Sequence, residues 1–136
     1  MELSDVVPKV EPSEVRGVPS TVEELREELV KSVARYARET ALRPLGLTYL
    51  NRAHNREAKR LGTSVLREVE ELVREDRLFL YRVRRTNAAY LMEAKSAAAI
   101  LNNIEERLRE EGCLDSFGEA RTQFLDLLEG RIAETR

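Results

Sequence analysis

The sequence predicts an all-α chain: an extended N-terminal arm followed by about four helices, one of them long, in an intertwined helical assembly. Three observations predict it. Apolar residues recur at helical spacing from residue 22 almost to the last residue. Apart from Pro44, the prolines are confined to Pro8, Pro12 and Pro19. Between residues 63 and 111 there is neither glycine nor proline. Composition agrees. Aromatics are 5% and tryptophan is absent, so a core of Leu, Val, Ala and Ile suits helix packing better than a β-sandwich. At 136 residues the chain fits a single helical domain over 21–136, preceded by the arm at 1–20.

The arm comes first. Proline there bars a long helix and favours extended backbone. Val6, Val7, Val10, Val15 and Val18 are spaced among acids, which reads either as a disordered tail or as an arm ordered against a neighbour.

The first helix starts at Ser20 or Thr21. Ser20 with Glu23, and Thr21 with Glu24, both fit a capping box. Val22, Leu25, Leu29, Val33 and Tyr36 form its apolar face, acids crowd its first turns, and Arg35, Arg38 and Arg43 come late. Pro44 and Gly46 end it. The second helix covers 47–61, with Gly62 as its stop. Leu47, Leu50, His54, Ala58 and Leu61 share one face. Arg52, Arg56, Lys59 and Arg60 take the opposite one.

Residues 63–111 carry a continuous 3–4 seam from Leu66 through Val83, Asn87, Tyr90, Ala94 and Leu101 to Leu108, broken only at Asp76 and Asn87. One helix over this stretch is roughly 70 Å long, while a globule of this length has a radius of gyration of roughly 14 Å. The shorter helices cannot cover such a seam, so part of it should meet another chain. Val83, Asn87, Tyr90, Ala94 and Leu101 are the expected oligomer interface, with Asn87 either fixing register or marking a turn. The other outcome is a helix that bends or breaks near Asp76 or Asn87. A last helix opens near Ser116, capped with Glu119, and presents Phe117, Ala120, Phe124, Leu127, Leu128 and Ile132.

A second fold fits residues 47–92. The second helix, the corner at 62–64 and a helix over 64–76 resemble the helix-turn-helix of the winged-helix family. Strands over 78–83 and 88–92 would then be the wing and 84–87 its tip, with C-terminal helices left for dimerisation. Glu68, Glu70, Glu71, Glu75 and Asp76 make that recognition helix acidic, and the tip lacks the Asn-Gly or Asp-Gly of a tight hairpin.

Charge is uneven. Residues 43–85 hold eleven bases against six acids, while both flanks are acidic and the whole chain is −2. Arginine outnumbers lysine 19 to 4, which reflects a GC-rich or thermophilic source or a choice of guanidinium forks for phosphate. Arg52, Arg56, Lys59 and Arg60, with Arg82, Arg84 and Arg85, are the expected phosphate contacts.

Chemistry is sparse. One histidine, His54, and one cysteine, Cys113, build neither a metal site nor a disulfide. No Gly-rich phosphate loop occurs. The expectation is a non-enzymatic chain without metal or cofactor. No run reaches the ~18 apolar residues of a membrane span, and the acidic N-terminus lacks a signal peptide's apolar core. The chain is therefore expected to be intracellular when made.

In chain size, N-terminal arm and helical content the sequence resembles the small helical capsid proteins of filamentous archaeal viruses. That resemblance implies a structural protein that coats or packages double-stranded DNA without reading sequence, as a homo- or hetero-oligomer with copies or a related subunit, within a virion. The acidic total charge departs from the basic surplus of such coats. Two other functions fit the residues: a winged-helix DNA-binding transcription regulator, and a helical protein–protein adaptor.

Overall fold

The structure, a computed structural model, describes residues 18–112 and 117–133. Nearly all of the expected arm, at 1–17, and Cys113 lie outside the described residues. The described chain is mostly helical, with five helices and a small three-stranded antiparallel sheet. It is therefore not purely all-α.

Helix α1 (Val22–Glu39) is capped as its sequence suggests: Thr21 Oγ1 accepts from the Glu24 amide at 3.1 Å. The Glu24 carboxylate reaches back to the Ser20 amide at 2.7 Å. Strand β1 (Leu45–Gly46) leads directly into α2 (Leu47–Arg60). Helix α3 (Val65–Arg74) follows, with Ser64 as N-cap accepting from the Arg67 amide at 3.1 Å. Strands β2 (Leu78–Arg82) and β3 (Ala89–Glu93) form a hairpin, and β1 pairs with the outer side of β3, giving the order β1-β3-β2. Helix α4 (Ala94–Glu110) and helix α5 (Phe117–Ala133) complete the described chain.

The single helix expected over 63–111 is absent. The chain makes α3, turns, runs out and back as the hairpin, and becomes helical again at Ala94. The two residues that interrupted the apolar seam are where the backbone turns: Asp76 and Asn87 both have φ of 61°. At Asp76 the cause is a Schellman ending, in which the Arg77 amide bonds the Leu72 carbonyl at 2.9 Å and the Asp76 amide bonds that of Val73 at 3.0 Å. The same pair of bonds closes α2 at Gly62, with φ of 79°. There glycine carries no Cβ penalty. At the hairpin tip the Asn87 amide bonds the Val83 carbonyl at 2.7 Å, and asparagine tolerates the left-handed conformation.

The hairpin is a partition between two cores. Leu78 and Leu91 are buried on one side with Leu25, Leu29, Val33, Leu50, Ala58, Val65, Val69 and Leu72 from α1, α2 and α3. Tyr81 and Met92 are buried on the other with Ala97, Ile104 and Leu108 of α4 and Ala120, Phe124, Leu128 and Ile132 of α5. Neighbouring strand residues point to opposite faces. With both faces covered, the strand sequences read as continuous apolar runs rather than alternating ones.

Candidate nucleic-acid interface

The basic face of α2 is built by its helical repeat. Leu50 and Ala58 are buried against the first core, whereas Arg52, Arg56, Lys59 and Arg60 are exposed. At about 100° per residue, Arg52, Arg56 and Lys59 fall within roughly 60° of arc. Arg52 lies over the exposed ring of Tyr49 at 5.6 Å, a cation–π contact that leaves its hydrogen-bond donors to solvent. Arg56 and Lys59 have no ion-pair partner among the described residues. Arg60 is occupied: it holds Glu57 at 2.9 Å and donates to the Pro19 carbonyl.

The turn into α3 is fixed by a buried acid. Glu68 is 3% exposed. It accepts from Arg26 Nε of α1 at 2.7 Å and from the Thr63 hydroxyl of the turn at 2.5 Å. Burial pushes its carboxyl up, but the bonds from Thr63 and Arg26 outweigh that, and the net shift is downward. One carboxylate thus ties α1, the turn and α3 together. Its burial removes one of the acids that made this helix look hostile to phosphate. A second, Glu71, pairs with Arg74. The outward face of α3 keeps Arg67 and Glu70, with Leu66 46% and Val73 37% exposed.

At the hairpin, the three predicted arginines meet different fates. Arg85 is exposed at the tip, without an ion-pair partner among the described residues. Arg82 donates to the Asn87 carbonyl across the loop at 3.3 Å. Arg84 is held by α5: Nη2 lies 2.9 Å from Asp126 Oδ1 and Nε lies 3.1 Å from Glu129 Oε2. Tyr81 also donates its hydroxyl to Glu129. The bonds from Arg84 and Tyr81 hold the Glu129 carboxyl down at about 2, and the Arg84 guanidinium is raised in turn. Burial, then the Glu129 carboxylate, push the Tyr81 phenol up to about 12.

The residues expected at an oligomer seam do not share one helix. Val83, Tyr90 and Leu101 are half-buried and pack within the chain against the second core. Asn87 is exposed at the hairpin tip and Ala94 is half-buried at the start of α4. His54 is half-buried, with Nε2 2.9 Å from Ser32 Oγ, and burial lowers its pKa.

Sequence reasoning singled out the basic side chains but not those that hold them. Arg67 sits three residues past the Ser64 cap, on the first turn of α3. Counting from that cap would have marked it as an outward residue. Nothing local announces that Asp126 and Glu129 reach Arg84, more than 40 residues away.

Among the described residues, no cluster of His, Cys, Asp and Glu is arranged to hold a metal ion, and no helix is long and apolar enough to cross a membrane. No protein-family model matches the chain, and no curated protein or solved structure matches it either.

Proposed function

We propose that residues 22–93 form a winged helix-turn-helix that binds duplex DNA, and that the chain is a non-enzymatic DNA-binding protein. The observation that carries this reading is the element order. It runs helix, short strand, helix, helix, hairpin, with the short strand on the far side of β3, the layout in which α3 enters the major groove and the hairpin is the wing. Charge supports it. Arg52, Arg56 and Lys59 on α2 and Arg85 at the wing tip are exposed cations whose charge is not taken up by an acid. They would neutralise phosphates, while Arg67 is the side chain on α3 suited to a guanine edge.

The coat-protein reading drew on a rod too long for its own fold. With no such rod in the described chain, only its phosphate contacts carry over, and they serve the winged helix equally well.

Four phosphate contacts imply a log–log salt slope of about −4 for random duplex DNA, since each contributes about 0.9. Fluorescence anisotropy over a salt series measures it. Arg52→Glu with Arg56→Glu is expected to weaken binding at least about tenfold and to flatten the slope by about 2, with the helical circular dichroism unchanged. Binding untouched by the double reversal would defeat the proposal.

A second reading is favoured by one feature. Leu66 and Val73 are exposed beside Glu70 on α3, a surface suited to a protein partner rather than to a groove. Absence of DNA binding at low salt would leave that adaptor reading.

A further inference from the structure

We propose that the cavity between α4, α5 and the α1–β1 turn binds a small organic carboxylate with an apolar body. The cavity is about 600 Å³ and open on one side, within the range that holds small ligands. Its apolar walls are Leu42 from the turn, Ile100 from α4 and Leu127 from α5. Leu42 and Leu127 remain 40% and 36% exposed, so an apolar guest would remove aliphatic surface from water that the chain itself leaves wet.

Two guanidiniums line the same cavity. Arg107 has no ion-pair partner among the described residues. Arg131 donates through Nη1 to the Ala41 carbonyl at 2.5 Å, while its Nε is buried with no acceptor. A carboxylate is the acceptor that a guanidinium takes best, and Arg107 and the guanidinium of Arg131 line the cavity. Asp126 also lines the cavity and shares the single charge of Arg84 with Glu129, so it offsets part of the cavity's positive charge. The charged side chains lining the pocket, Arg107 and Arg131 against Asp126, leave it with a positive surplus of one. That selects an anion and repels an amine.

The turn is built to hold this wall in place. Ala41 and Leu42 both have positive φ, 60° and 69°, which costs a non-glycine residue about 1–2 kcal/mol each. The Leu42 amide is fixed to the Ala37 carbonyl at 2.7 Å, and Arg131 holds the Ala41 carbonyl from the other side. The strained turn holds Leu42 at the wall of the cavity that Leu127 also lines.

The site stands apart from the DNA reading, and its test needs no DNA. The full chain is titrated calorimetrically with 2-naphthoate, and with the amine and alcohol of the same ring system as controls. Saturable one-to-one binding with a Kd below about 1 mM is expected for the acid, as suits a ligand of this size. Amine and alcohol should bind at least about tenfold more weakly. Arg107→Ala removes a solvent-exposed side chain, and Leu127→Trp fills the cavity from an exposed position. Each is expected to weaken naphthoate binding at least about tenfold without altering the helical spectrum. Three results would overturn the proposal: no saturation up to about 5 mM, equal affinity for the alcohol, or binding indifferent to Leu127→Trp, which would indicate an adventitious apolar contact.

Discussion

The two faces of the β2–β3 hairpin are covered in different ways. The α1–α2–α3 side draws buried side chains from three helices and the sheet. Leu25, Leu29, Leu50, Leu72, Leu78 and Leu91 are all essentially inaccessible there, and the Glu68–Arg26 pair ties two of those helices together. The α4–α5 side is one helical hairpin laid against the ribbon. It is anchored by Phe79 tilted against Phe124, with ring centroids 5.5 Å apart, and by the exposed Arg84 ion pairs. Among its larger side chains only Met92 and Leu128 are as fully buried. A core closed from several directions cannot relax into a vacancy. Two helices resting on a ribbon can shift towards one. Rigidity should therefore reside with the unit that presents α3 and the wing.

That difference has a measurable consequence. Leu29→Ala in the first core is expected to cost about 4 kcal/mol, near the upper part of the range for buried leucine. Leu128→Ala in the second core should cost about 2 kcal/mol, because α5 can settle inward. Urea unfolding followed by circular dichroism gives both. Equal costs, or the reverse order, would mean that the two cores are equally constrained.

A smaller contrast separates two acids of α3. Glu68→Ala removes the acceptor shared by Arg26 and Thr63, and should cost about 2 kcal/mol, the scale of hydrogen bonds to a charged group. Arg26 keeps Glu75 at 3.5 Å, which limits the loss. Glu71→Ala breaks only the exposed pair with Arg74 and should stay within about 0.5 kcal/mol. If both substitutions prove neutral, Glu68 does not fasten the helix-turn-helix.

Much of the fold was legible in the sequence, and the misses share a cause. The starts of α1 and α3 were clear because Thr21 and Ser64 are ordinary N-caps with ordinary partners, whereas Glu93 caps α4 with no side-chain bond and gave no signal. The ends of α2 and α4 were clear because Gly62 and Gly112 occupy the left-handed position. Where Ala41 takes that position instead, no residue type gives notice; Asp76 did interrupt the seam, but apolar residues resume at Leu80 in the same spacing, and α3 seemed to run on. The hairpin, with strands close to those of the second fold at 78–83 and 88–92, competed with the single helix for a second reason. Leu78, Leu80 and Leu91 face one core while Phe79, Tyr81 and Met92 face the other, so the strands show no polar alternation and fit a helical seam. At the candidate interface the charges of Arg52, Arg56, Lys59 and Arg85 could be read from their spacing. That Arg60 and Arg84 are occupied could not, because their partners come from Pro19 and from α5.

The least disruptive test concerns the Arg84 latch, where the second core touches the wing. The Glu129 carboxyl lies at about 2 in the folded chain against an ordinary 4.5, chiefly through the Arg84 bond. A depressed carboxyl contributes stability in full above its unfolded value. That contribution fades as pH falls from about 4.5 through about 2. The wild-type chain should therefore have the higher unfolding midpoint near neutrality, by a modest margin because the pair is exposed, and should converge on Glu129→Gln as pH falls across that acid window. Carbon-detected NMR titration reads the group directly. In Arg84→Gln the Glu129 midpoint should climb back towards 4.5, although the Tyr81 hydroxyl still holds the carboxylate. A wild-type midpoint already near that value would mean that α5 does not grip the wing in solution, and that Arg84 is as free as Arg85 to meet a phosphate.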